Sequence, residues 1–496
     1  MKYILALDQG TTSSRAVLIS ENGDLHAECQ KEFQQFFPSP GLVEHDPHEI
    51  WTSQASCITE VLVKGEVSPS QVSGIGITNQ RETTIVWERK TGKPLMNAIV
   101  WQDRRTTQIC QALKKQGLES LIRSKTGLLL DPYFSGTKLQ WILKAIPGAL
   151  ERAKKGELAF GTVDTWLLWQ LTEGKCHATD VTNASRTLLF NIHTLKWDEE
   201  LLTLFNIPRE ILPQVHPSSH LFATSSHPIL SSKIPIAGIA GDQQAALVGQ
   251  ACFKPGMVKS TYGTGCFMLM NTGATPALSK NHLLTTIAYQ VGKEVAYALE
   301  GSVFVGGAVV QWLRDNLKLI THSSDIEPLA ASVPDSGGVY FVPAFTGLGA
   351  PYWDPYARGA IVGLTRGTSA AHIARSALDS IAFQVTDVLQ AMGGDAENKI
   401  AQIRVDGGAV RNSILMQFQA DLMSAPVIRP KVTELTAQGA AYLAGLSIGF
   451  WKNFDEIASL WKEEHRFTSQ MPKNQVIELR RKWAQAVKCA QVWEAS

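Results

Sequence analysis

The sequence predicts an α/β protein of two lobes, each a mixed β-sheet flanked by helices, and three observations lead there. Residues 3–7 and 15–19 are apolar runs of strand length around the polar turn Asp8-Gln9-Gly10-Thr11-Thr12-Ser13-Ser14, which makes a β-hairpin with a polar tip. The same succession of strand, glycine turn and strand recurs at residues 258–271, around Gly263-Thr264-Gly265. A chain of 496 residues also exceeds what one hydrophobic core supports, so two domains of similar size are expected, residues 1–248 and 249–496.

The turns have the chemistry of anion binding. Gly10 lets the main chain approach an anion without a Cβ in the way, and successive backbone N–H groups in such a turn form an anion-binding concavity. Thr11, Thr12 and Ser13 add hydroxyl donors, Arg15 adds a fixed positive charge, and Asp8 at the strand end suits a hydrated divalent cation. Gly, Ser and Thr are also what ordinary hairpin turns use. The second copy, and a third glycine turn at Asp406-Gly407-Gly408 after the apolar run 400–405, shift the balance toward phosphate.

Two facing hairpins with a Gly-Gly turn for the nucleoside form the phosphate clamp of the actin-like, ribonuclease H-like ATP-binding fold. On these motifs the chain resembles the FGGY family of carbohydrate kinases, in the branch that acts on glycerol. The resemblance implies two actin-like ATPase lobes, each a five-stranded mixed sheet flanked by helices, with an interdomain cleft.

Composition agrees with a large enzyme. Hydrophobic residues make up 44% and charged residues 18%, which is globular and not disordered. The 46 basic and 45 acidic residues leave a net charge of +1, so no nucleic-acid or membrane-surface partner is expected. The seven cysteines are scattered without Cys-x-x-Cys spacing and read as reduced thiols. With no room for a signal peptide before residue 3 and no apolar run of spanning length, a cytoplasmic location is expected.

In chain order, Asp46-Pro47-His48-Glu49 is a helix start, with Asp as cap and Pro at the first position, for a helix reaching residue 63. Strands at 72–78 and 85–88 flank Asn79-Gln80-Arg81-Glu82-Thr83-Thr84, where an Arg beside a Glu is either a structural ion pair or a ligand site. The resemblance implies the ligand site, with Arg81 and Glu82 bonding glycerol hydroxyls. It also places Trp101, at the end of a strand from 98, against the carbon face of the polyol. The loop from Leu130 to a helix at Lys138 matches the first family signature, and its Tyr133 closes the polyol site by resemblance. A strand at 158–163 precedes a helix capped by Asp164, and residues 216–233, rich in Ser, His and Pro, read as a surface loop.

A buried strand ends at Gly241, and Asp242 reads as the cap of the helix that follows, a common role for Asp. Such a junction can equally face the cleft, because ligands in α/β sheets bind beyond the carboxyl ends of strands. By resemblance Asp242 is the catalytic base and a glycerol ligand, Gln243 is a second polyol ligand, and Phe267 packs on the glycerol carbons. Residues 301–317 read as a helix opening on glycine. Its Gly307 and Gln311 correspond by resemblance to nucleotide-binding positions, though the Gly306-Gly307 pair also suits close helix packing, and Gly408 and Asn412 match adenosine-binding positions. Thr11, Thr12, Ser13, Arg15 and Thr264 complete the ATP set and Asp8 the Mg2+ site. The small-residue run 439–445 reads as helix core, and the tail from Phe450 is assigned to packing on the second lobe.

The resemblance therefore implies an ATP- and Mg2+-dependent glycerol kinase activity in a homo-oligomer, dimer or tetramer. The alternatives are a kinase of the same fold for another polyol or a ketose, and an actin-like nucleotide switch. Where enterobacterial relatives carry a basic glycine-rich string for fructose 1,6-bisphosphate, this chain has one lysine in residues 225–233, and that anion site is not expected.

Overall fold

The structure, a computed structural model, describes residues 1–396, 399–432 and 434–493. The first sheet is built from β1 (Tyr3–Gln9), β2 (Ser13–Ser20), β3 (Leu25–Glu32), β4 (Val72–Asn79), β5 (Ser219–Thr224) and β6 (Pro235–Gly241). The second takes β7 (Met257–Tyr262), β8 (Cys266–Gly273), β9 (Leu284–Val291), β10 (Glu294–Val303), β11 (Gln402–Asp406), β12 (Val427–Pro430) and β13 (Glu463–Phe467).

Both sheets repeat one plan. In the first, β1 pairs antiparallel with β2 and parallel with β4, with β3 beyond β2 and β6 parallel beyond β4. In the second, β7 pairs antiparallel with β8 and parallel with β11, with β10 beyond β8 and β12 parallel beyond β11. These are the two five-stranded mixed sheets of the actin-like arrangement. Three edge strands extend them, and one pair, Ser219 with Val291, joins β5 to β9 so that 13 strands run in a continuous sheet.

The principal helices are α1 (Pro47–Lys64), α2 (Ser135–Ala145), α3 (Asp242–Gly249), α4 (Ala308–Asp315), α5 (Ala370–Asp395), α6 (Ser413–Met423), α7 (Leu435–Ile448) and α8 (Lys473–Gln491). The Asp46 side chain caps α1 through the His48 amide, and Lys64 ends it at Gly65. Among the described residues no helix is long and apolar enough to cross a membrane.

Helix α7 lies far along the chain yet packs on the first sheet. Its Ala437, Ala441, Tyr442, Leu443 and Ala444 share a core with Ile4, Ala6, Val17 and Ile19. Contact is backbone to backbone: a side chain at Gly76 in β4 would overlap the Ala440 carbonyl, and one at Gly439 would overlap the Ala245 carbonyl of α3. Such an approach gains dispersion contacts only while both partners stay small. Trp451, Phe454 and Ile457 join the same core, and the Trp451 indole donates 2.9 Å to the Glu21 carbonyl. The tail after 450 therefore packs first on the first sheet, and then on the second half through β13, with Phe467, and α8, with Trp483.

Four local readings change. Residues 219–224 form β5 inside the expected surface loop, because the neighbouring β6 supplies its backbone partners. Residues 301–303 belong to β10, and the helix begins only at Ala308 with Gly307 as its N-cap. Asp164 lies inside a helix whose N-cap is Thr162. Asp242 is the first residue of α3, whose N-cap is Gly241.

Candidate active site

The parallel register of β1, β4 and β6 carries three strand ends to one edge of the first sheet. Asp8 lies beside Thr78, and Thr78 beside Ala240, so Asp8, the 79–84 segment and Asp242 emerge together. The chain turns sharply there, and Glu82 adopts a left-handed backbone with φ 62°. That conformation is costly for a residue with a Cβ, and such costs concentrate at functional sites.

Arg81 and Glu82 are both buried, and each finds its main partner elsewhere. Arg81 Nη1 and Nη2 donate to the two oxygens of Glu300 at 2.5 and 2.9 Å, and Nη1 also reaches Gln244 at 3.2 Å. Arg186 Nε donates to Glu82 Oε1 at 2.6 Å and its Nη2 to Glu300 Oε1 at 2.9 Å. Between Arg81 and Glu82 themselves the separation is 3.8 Å. The ion pair read from sequence is thus a buried quartet of two arginines and two glutamates. Glu300 and Arg186 were missed; for Glu300 the signal was a charged residue inside an apolar strand, 295–303.

Burial pushes the Glu82 carboxyl up, and Arg186 and Arg81 oppose it. Burial also acts to raise Glu300, but Arg186 and Arg81 outweigh it and hold the carboxyl at about 2. Arg186 Nη1 is buried without a hydrogen-bond partner among the described residues.

Asp242 stands beside a cation. Its Oδ1 lies 3.2 Å from Arg81 Nε and accepts from the Gln243 amide at 2.7 Å. The side chain is 31% exposed, so it can meet a substrate. Gln243 accepts from Lys259, a buried lysine of β7 that also donates to Thr261 at 2.8 Å. Burial lowers the Lys259 amine, with Asp406 and Asp242 pulling it back up.

An aromatic wall stands over this floor. Trp101 and Tyr133 meet edge to face with ring centroids 5.6 Å apart, and the Tyr133 hydroxyl is 3.5 Å from Arg81 Nη2. Lys138, fully buried, donates to the carbonyls of Pro132, Tyr133 and Phe134 at 2.7, 2.5 and 3.4 Å, which pins the loop holding Tyr133. On the second sheet Phe267 pairs with Thr261 and with Ser302, and Leu269 with Lys259 and with Glu300. Alternation along a strand puts Lys259, Thr261, Phe267 and Glu300 on one face.

The hairpin tips come next. At the first, Gly10 bonds to the Ser13 carbonyl at 2.9 Å, while Thr11 and Thr12 remain partly or fully exposed. Ser13 Oγ accepts from Gln30, and Arg15 donates to Gln30 at 3.0 Å and pairs with Glu434. Arg15 also sits opposite Asp8 across the hairpin. Burial pushes Asp8 up to about 6, with Arg15 opposing and Asp242 reinforcing. Two nearby carboxylates with hard oxygen donors fit Mg2+, which binds through one or two carboxylates plus phosphate oxygens.

At the second tip the exposed Thr264 is flanked by Gly263 and Gly265, and the amides of Gly306 and Gly307 bond back to the carbonyls of Thr264 and Gly263, each at 2.8 Å. Gly307 therefore serves close packing and also faces the tip, while Gln311 is exposed one turn on. The third turn leans on this hairpin: Gly407 has φ 94°, and a side chain there would overlap the Tyr262 carbonyl. A cavity of about 320 Å³ opens beside it, lined by Asp406, Gly407, Val410, Arg411, Arg429 and Lys431. Gly408 is exposed, and Asn412 caps α6 through the Leu415 amide at 2.9 Å while its buried Nδ2 has no partner among the described residues.

Residues 3–249 match the N-terminal domain of the FGGY family of carbohydrate kinases, and residues 258–448 match the C-terminal domain of that family. A glycerol kinase of Burkholderia ambifaria (strain MC40-6) is 59% identical over 492 residues, spanning 99% of this chain and 98% of its own. One of Trichlorobacter lovleyi is 58% identical over 493 residues, spanning 99% of each. Among solved structures, Plasmodium falciparum glycerol kinase with ADP superposes with a TM-score of 0.94 at 37% identity, covering 99% of this chain and 98% of that one. With both family domains matched in order along one chain, the protein belongs to the FGGY family of carbohydrate kinases.

Proposed function

We propose that the protein transfers the γ-phosphoryl group of ATP to glycerol, giving sn-glycerol 3-phosphate. The observation that carries this reading is identity of 59% over nearly the whole length to relatives named glycerol kinase. The buried Arg81, Glu82 and Arg186 beneath Trp101 and Tyr133 support it, since a small triol needs both donors and acceptors under an apolar wall.

In this reading the glycerol hydroxyls bond to Arg81, Glu82, Asp242 and Gln243, and the carbons rest on Trp101, Tyr133 and Phe267. Asp242 is the general base. Its Oδ1 is held by Arg81 and the Gln243 amide, which leaves Oδ2 to take the hydroxyl proton as the oxygen attacks phosphorus in line. Backbone N–H groups at Thr11, Thr12 and Thr264, with Arg15, steady the charge on the phosphoryl oxygens. Ser13, Gly307, Gln311, Gly408 and Asn412 hold the rest of the nucleotide. Asp8 would hold hydrated Mg2+, which supplies charge neutralisation at the phosphates. A cytoplasmic homo-oligomer of two lobes, 1–248 and 249–496, belongs to the same reading.

A coupled assay for ADP release tests it. Turnover should require glycerol and be far weaker with xylulose or gluconate; ADP release indifferent to any polyol would overturn the reading.

A further inference from the structure

We propose that Glu300, on β10 in the second half of the chain, is the positioning residue for the polyol floor of the first half. The proposal rests on the glycerol reading above and deepens it. Glu300 is 2% exposed and lies 219 residues from Arg81 in sequence, yet both of its oxygens meet the Arg81 fork. A planar guanidinium gripped on both terminal nitrogens has no freedom to turn. The direction of its remaining nitrogen is then fixed, and Arg81 Nε lies 3.2 Å from Asp242 Oδ1.

The second link runs through Arg186. Glu300 Oε1 accepts from Arg81 Nη2 and from Arg186 Nη2, each at 2.9 Å, so a single oxygen bridges the two arginines. Arg186 in turn grips Glu82 Oε1 at 2.6 Å. Removing Glu300 therefore loosens both recognition residues at once, Arg81 directly and Glu82 through Arg186.

Stability alone does not account for the arrangement. Four charges in a buried site are costly to desolvate, and well-packed apolar residues of similar volume commonly do as well or better. What apolar residues cannot do is aim a guanidinium. Because the Glu300 carboxylate comes from the second sheet, the floor is set only when the two sheets are docked, and Phe267 lies on the same face of that sheet.

The test uses the full-length protein with three variants, E300Q, E300D and the double variant E300M/R186M, which removes one charge of each sign. With E300Q the KM for glycerol should rise roughly ten- to a hundredfold, the loss of charged hydrogen bonds, while the KM for MgATP stays within about twofold. E300D, which keeps the charge, should recover most of the glycerol kcat/KM. If E300Q does not fold, the double variant decides: it should melt close to wild type and still show the raised glycerol KM. A stable E300Q or double variant with wild-type glycerol KM, or one whose glycerol and ATP constants shift equally, overturns the proposal. Wild-type protein without glycerol-dependent ADP release fails the underlying reading instead, and the two failures are told apart by that control.

Discussion

The indole Nε1 of Trp101 donates a 3.0 Å hydrogen bond to the hydroxyl of Thr11. The proposed polyol wall is thereby tied to the tip of the first hairpin. Trp101→Phe keeps an aromatic wall and removes the donor, and a neutral hydrogen bond is worth about 0.5–1.5 kcal/mol. The expected outcome is a two- to tenfold fall, roughly, in kcat/KM for ATP with the KM for glycerol nearly unchanged. Steady-state kinetics varying each substrate checks it; a raised glycerol KM with unaltered ATP constants would reduce Trp101 to a passive wall.

Glu82→Ala takes an acceptor from the proposed polyol floor and strands Arg186, whose Nε loses its carboxylate. Glycerol kcat/KM should fall by roughly ten- to a hundredfold or more while ATP binding stays near normal, and unfolding should come at lower temperature because a buried charge is left uncompensated. Kinetics and thermal melts on one preparation read both effects. Unchanged glycerol kinetics would take residues 81–82 out of the site.

Asp242→Asn retains shape, and its amide oxygen can still meet Arg81, but it cannot take a proton. Turnover should drop on the order of a thousandfold, within the 10²–10⁴ that a positioned base contributes, with both substrates still bound within a few-fold. Calorimetric titration beside turnover is decisive. Near-wild-type turnover refutes the base assignment, and lost binding with a lowered melting point marks a structural carboxylate.

Lys138 makes a pH prediction. Burial pulls its amine down to about 7, and in the unfolded chain a lysine titrates near about 10.4. Between those values the unfolded state binds more protons, so this group makes stability rise with pH from about 7 to about 10.4, with no slope below. Lys138→Met abolishes that contribution. The wild-type minus variant difference in unfolding free energy, from denaturant titrations at successive pH values, should grow through the window; a difference constant in pH would show that Lys138 is charged throughout in the fold.

The hairpin tips were legible in the sequence because they are local: strand, glycine and hydroxyl residues, strand, within a dozen positions. Arg81, Glu82 and Asp242 were legible as positions, while their pairing was not. Adjacent in sequence, Arg81 and Glu82 read as partners, yet the left-handed turn at Glu82 sends the two side chains to Glu300 and Arg186 instead. The neighbourhood of Asp242 was not legible either, because Arg81 comes beside it only through the parallel register of β4 and β6. Lys259 carried a faint signal, the one charge in a strand of apolar and hydroxyl residues. The misread helix at 301–317 shows glycines taken for a helix start where they end a strand.

The backbone-to-backbone seating of α7 on Gly76 has a consequence for how the protein is made. During translation the first sheet leaves the ribosome long before residues 435–448 exist, and until they arrive one side of β1, β4 and β6 lies open to solvent. The nascent first half must therefore wait with an uncovered apolar face. Its folding ends with the synthesis of the second half, and a chaperone that binds such faces has that interval in which to act.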